Sequence, residues 1–87
     1  MSYDIKIDKK VFKFFVKLSK TDSETAKTLL KLIYDLKINP YESKKMKGKF
    51  KGLNRIKSGD YRIIFRIDKM SKVVRVLEVG KRSNIYK

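Results

Sequence analysis

Apolar and polar residues alternate at the start of the chain. Tyr3, Ile5 and Ile7 are interleaved with Asp4, Lys6 and Asp8, the period of a strand with one buried face. From Lys9 the spacing lengthens: Val11, Phe12, Phe15, Val16 and Leu18 recur at helical intervals, and the stripe closes near Ser19. Thr21 and Glu24 stand at capping-box spacing and open a second helix, in which Ala26, Leu29, Leu30, Ile33 and Leu36 fall on one face. Asn39-Pro40 ends it, because the residue before a proline is driven out of the helical region. So short a connection between the helices predicts an antiparallel hairpin.

Residues 41–52 have no periodicity and read as a cationic loop carrying Lys44, Lys45, Lys47, Lys49 and Lys51. Three strands are predicted after it, Leu53–Ser58, Tyr61–Asp68 and Val73–Val79, the first two joined at Gly59-Asp60 by a two-residue turn with glycine in its first central position. That turn pairs Ser58 with Tyr61 and sorts the side chains. Ile56, Tyr61, Ile63, Phe65 and Ile67 share one face; Leu53, Arg55, Lys57, Arg62, Ile64 and Arg66 share the other. A three-residue turn would instead put Arg55 and Lys57 on the Tyr61 side. The order β-α-α-β-β-β predicts an α+β fold, with the helical hairpin packed on one face of an antiparallel sheet, in a single domain over 1–87.

Charge changes this picture. The 87 residues include 24 Lys+Arg against 9 Asp+Glu, a formal charge of +15, which repels itself in a compact chain and suits a polyanionic partner, nucleic acid first. Four cations on one sheet face ask for an anion, and phosphate fits. No apolar run approaches the roughly 18 residues of a membrane span, and the opening residues lack the layout of a signal peptide, so the chain reads as cytoplasmic with no membrane partner.

Histidine and cysteine are both absent, which removes the usual neutral-pH base, the thiolate nucleophile and the commonest metal ligands. The nine carboxylates are scattered among lysines, so no metal site and no cofactor are expected. RNA cleavage is still open to such a chain. A 2′-hydroxyl can attack the adjacent phosphate if a protein positions it and neutralises the developing charge, and arginine's rigid fork matches phosphate oxygens. Lys57, between Arg55 and Arg62, is a candidate base because neighbouring cations favour its neutral amine. Near the end of the chain, Arg82 adds a cation. Tyr86 is placed either to meet a base or the scissile phosphate, or to dock on the core edge. Lys44, Lys45, Lys47, Lys49, Lys51 and Arg66 are candidate RNA-backbone contacts, the loop lysines being equally readable as a solvated segment.

The run from Gly52 to Phe65, with Gly59-Asp60-Tyr61-Arg62 at its centre, then Val79-Gly80-Lys81-Arg82 and Tyr86, resembles the RelE/ParE toxin superfamily, and RelE-type toxins in particular. The strand, helical hairpin, Asn-Pro and lysine-rich loop upstream extend the likeness over nearly the whole chain. The resemblance implies a RelE-like fold and a ribosome-dependent mRNA endonuclease (an mRNA interferase) acting without metal. It implies a toxin of a type II toxin–antitoxin system, held inactive by a cognate RelB-like antitoxin, with the ribosome and mRNA as its other partners. By position, Arg62 and Arg82 match the phosphate-contacting arginines of that family, and Arg55 and Lys57 its active-site basic residues. Tyr86 matches its C-terminal tyrosine. Leu53 departs from it, standing where some members carry a further lysine. Two alternatives remain: a ParE-like toxin that poisons DNA gyrase without nuclease activity, and a non-catalytic RNA-binding module.

Overall fold

The computed structural model describes residues 2–40, 44–45 and 52–81. Within them β1 (Asp4–Ile7) leads into α1 (Lys9–Thr21) and α2 (Ser23–Asp35). Then come the two-residue β2 (Lys44–Lys45), β3 (Asn54–Ser58), β4 (Tyr61–Asp68) and β5 (Val73–Lys81). The described strands form one sheet in the order β1-β5-β4-β3-β2, and the helical hairpin covers one of its faces.

β4 is the centre of this arrangement. Its inward residues Ile63 and Phe65 pack with Val74, Val76 and Val79 of β5 against Val11, Phe15 and Leu18 of α1 and Ala26, Leu29 and Ile33 of α2. Phe14 reaches Tyr61 edge-on, at 6.2 Å between ring centres, and ties α1 to the start of β4. The helical stripes are narrower than their sequence suggests. Phe12, Val16 and Leu30 are exposed, and the buried rows run through Val11, Phe15 and Leu18 in α1 and Ala26, Leu29 and Ile33 in α2.

The predicted α+β fold holds, with two corrections to the sheet. β1 pairs with β5 in parallel, Asp4 beside Val73 through Ile7 beside Val76, so the sheet is mixed rather than antiparallel. Alternation reveals which face of a strand is buried and nothing about its neighbour's direction. A parallel pair needs only a connection of a dozen or more residues, and most of the chain lies between these two strands. Second, Lys44–Lys45, read as loop, is strand: it pairs with Arg55 and Asn54.

The second helix is capped one residue later than expected. Asp22 is the N-cap, its carboxylate accepting from Thr25 N at 3.2 Å and Thr25 Oγ1 at 2.6 Å, while Thr21 closes α1. Asp22 is thus the whole connection between the helices. The two Thr25 bonds, side chain first, hold its carboxyl below the ordinary carboxylate value. Asp22→Ala is expected to lower the melting temperature at neutral pH. A depressed carboxyl stabilises the fold above its unfolded pKa and loses that effect as pH falls through the folded value. The gap between variant and wild type should therefore narrow below the normal carboxylate range, as thermal melts across acid pH would show.

The β3–β4 turn is as predicted: Ser58 pairs with Tyr61, and Gly59 alone of the two central residues has a positive φ, +59°. Placing an L side chain there costs about 1–2 kcal/mol. Gly59→Val is expected to lose stability on that order in urea unfolding, with Gly59→Asn less affected because Asn tolerates the left-handed region.

Candidate nucleic-acid interface

The sheet face turned away from the helices is built by register. On it, Lys57 of β3 pairs with Arg62 of β4, which pairs with Gly80 of β5. The neighbouring outward row runs Arg55, Ile64, Glu78. The next runs Arg66, Arg75, Lys6 across β4, β5 and β1. Strands lie about 4.8 Å apart, so each row sets its charges nearly abreast. The face assignment read from the hairpin is therefore correct.

Arg62 differs from a solvated strand cation. It is 8 % exposed, and its neighbour Ile64 on the same face is 3 % exposed. Its Nη1 donates to the carbonyls of Gly59 at 3.2 Å and Tyr61 at 3.1 Å, holding the side chain over the β3–β4 turn. Its Nε is buried with no partner among the described residues. An unsatisfied buried donor costs about 1–3 kcal/mol, and more when charged. The ion pairs among the described residues are Lys10–Glu78 at 2.6 Å and Arg75–Asp8 at 3.9 Å, and neither involves Lys57, Arg62 or Arg66. The hydrogen bond from Lys10, and then the charge of Glu78, hold the lysine amine above its ordinary value. Glu78 is thus engaged at the α1 end of β5.

Of the residues singled out from the sequence, Arg55, Lys57 and Arg62 are brought together on adjacent positions of β3 and β4, and Arg66 lies one outward step past Ile64. Lys44 and Lys45 stand on β2 beside Arg55 and Asn54. Lys47, Lys49, Lys51, Arg82 and Tyr86 lie outside the described residues. Sequence reasoning missed Arg75 and Lys6, which join the cationic face through the β4–β5 and β1–β5 registers. Arg75 carried a signal: it sits between the apolar Val74 and Val76, and the turn after Asp68 sets it opposite Arg66. Among the described residues no three carboxylates gather into a group able to hold a metal ion, and no helix is long and apolar enough to cross a membrane.

The same architecture recurs in solved toxins. The archaeal RelE–RelB complex from Pyrococcus horikoshii OT3 aligns with a TM-score of 0.74 at 28 % identity, over 97 % of this chain and 99 % of that one. The isolated E. coli RelE toxin aligns with a TM-score of 0.69 at 30 % identity, over 98 % and 92 %. Fold and basic face together define a toxin of the RelE-like α+β class. In sequence, a Methanocaldococcus jannaschii protein named RelE4 is 28 % identical over 86 residues, covering 98 % of this chain and 92 % of its own. The family model for the ParE toxin of type II toxin–antitoxin systems, parDE, matches residues 5–86, and the chain belongs to that family, within the RelE/ParE superfamily.

Proposed function

We propose that this toxin is a metal-independent endoribonuclease that cleaves mRNA on the ribosome and so stops translation. The observation that carries the reading is Arg62, a buried arginine with an unpartnered Nε and no carboxylate among the described residues, paired across the sheet with Lys57. A phosphate drawn to this pair would supply the acceptor that Arg62 Nε lacks.

In the proposed reaction the RNA supplies its own nucleophile. The 2′-oxygen bonds to the adjacent phosphorus and the bond from phosphorus to the 5′-oxygen breaks, leaving a cyclic phosphate and a free 5′-hydroxyl. Lys57 takes the 2′ proton, and a proton from water passes to the departing 5′-oxygen. Arg62 and Arg55 stabilise the charge that builds on the phosphorane oxygens, with Arg82 as a further cation and Tyr86 against a base or the phosphate. DNA, lacking the hydroxyl, would be spared. Lys44, Lys45, Lys47, Lys49, Lys51 and Arg66 hold the RNA backbone. The partners in this reading are a RelB-like antitoxin, the ribosome and mRNA, in the cytoplasm. The P. horikoshii relative is itself a complex of RelE with RelB, which supports the first of these.

The family match favours a second reading, because its description is that of ParE. A ParE-like toxin would inhibit DNA gyrase through a protein contact and cut nothing. Primer extension on mRNA from a translating extract separates the two, with naked mRNA as the control. Cleavage within ribosome-bound codons supports the endonuclease. Intact mRNA with unimpaired translation overturns it, and gyrase supercoiling becomes the assay to run.

A further inference from the structure

The geometry points to Lys6, Arg66 and Arg75 as a second phosphate-binding row, one that grips the substrate RNA strand away from the scissile phosphate. This assignment rests on the endonuclease reading above and extends it to residues on β1 and β5.

The three residues come from three strands, and the registers Arg66–Arg75 and Lys6–Arg75 put them abreast on the face that carries Arg62. All three are exposed. Like charges set directly opposite one another destabilise a sheet, so this row works against the fold that builds it. Compensation is partial: among the described residues Asp8 pairs with Arg75 at 3.9 Å, both side chains open to solvent, and Asp68 lies within reach of the Arg75 charge. A row of three cations that the protein compensates only in part is suited to an external polyanion.

Its position identifies which one. Arg66 lies four residues along β4 from Arg62, about 13 Å at strand rise. Even at the roughly 3.4 Å per nucleotide of a stacked B-form strand, only about four nucleotides link the two rows. One strand can therefore engage both. The path is closed beyond the second row, because the next outward positions are Asp68, Val73 and Asp4. The Asp68 carboxylate accepts from Ser71 N at 3.1 Å, which fixes it in the β4–β5 turn as a repelling charge. The cationic track thus begins at the β3–β4 turn and ends after Arg66–Arg75–Lys6, a footprint of a few nucleotides.

The test is fluorescence anisotropy with labelled single-stranded RNAs of about two and about twelve nucleotides, titrated over a range of salt. The wild type is compared with the triple variant Lys6→Gln, Arg66→Gln, Arg75→Gln, and with Arg75→Gln alone should the triple variant fold poorly by circular dichroism. The triple variant is expected to bind the longer RNA at least tenfold more weakly, with a salt slope smaller by about 2, since each single-strand phosphate contact contributes about 0.7. The single variant should show about a third of that change in slope. The single variant should bind the short RNA as the wild type does. Unchanged affinity and slope for the longer RNA would overturn the assignment. So would loss of binding to ribosomes stripped of mRNA, which would give the row to ribosomal RNA. Failure of the wild type to cleave would instead count against the endonuclease reading, and the anisotropy series would decide the row independently.

Discussion

Arg62→Ala is expected to lower cleavage of ribosome-bound mRNA by about 10²–10³-fold, the usual loss when one preorganised donor to a developing negative charge is removed. The expectation follows from how Arg62 is held. Two turn carbonyls restrain its Nη1, burial restrains its chain, and its Nε is without a partner among the described residues, so the guanidinium is positioned before any substrate arrives. Preorganisation of this kind is spent in the transition state and contributes less to ground-state binding. RNA affinity should accordingly fall only a few-fold, as one of several cationic contacts is lost. Arg62→Lys should recover little, because a point charge cannot present two donors to two phosphate oxygens. The fold should survive the alanine variant: Arg62 lies on the outer face, away from the helix-packed core, and no described carboxylate is left unpaired by its removal. A melting curve and single-turnover cleavage on the same sample separate the effects. Cleavage within about threefold of wild type in a folded variant would remove Arg62 from the chemistry.

What the sequence discloses depends on how local each signal is. The β3–β4 hairpin is legible because a glycine at the first central position, flanked by alternating strands, dictates a two-residue turn. From that turn the assignment of Lys57, Arg62 and Arg66 to one face follows by counting. The helices are legible from spacing, yet their junction is not. Thr21 and Asp22 are both competent caps, and only the partnership of Asp22 with Thr25 selects between them. The parallel docking of β1 depends on contacts across most of the chain, which no short window contains. β5 conceals its register in another way. Its inward residues Val74, Val76 and Val79 break strict alternation, and an irregularity in the β4–β5 ladder between Ile64 and Phe65 absorbs the extra residue, Leu77. Arg75 and Lys6 could therefore be recognised as outward but not as neighbours of Arg66. The burial of Arg62 was hidden for a similar reason: residue type argues for exposure, and only the assembled face reveals otherwise.

The inner face of β4 predicts the largest change in stability. Phe65 is fully buried between the β5 valines and the helices, one residue from Ile64 and three from Arg62. Phe65→Ala is expected to cost about 3–5 kcal/mol, combining lost transfer free energy with the cavity left behind. A domain this small holds only about 5–15 kcal/mol in total, and its limited core places it toward the lower end. At about 4–8 °C per kcal/mol for domains of this size, the melting temperature should fall by at least about 12 °C. Phe65→Leu, which keeps most of the volume, should cost much less. The outcome for activity differs from that of Arg62→Ala, because Phe65 touches no substrate in the proposed mechanism. Below the lowered transition the alanine variant should retain its rate per folded molecule, and loss of cleavage should track loss of ellipticity as temperature rises. If cleavage instead falls well before unfolding, then Phe65 also sets the position of β4 on its opposite face. The packing under the strand would then belong to the placement of Arg62 as much as to the stability of the fold.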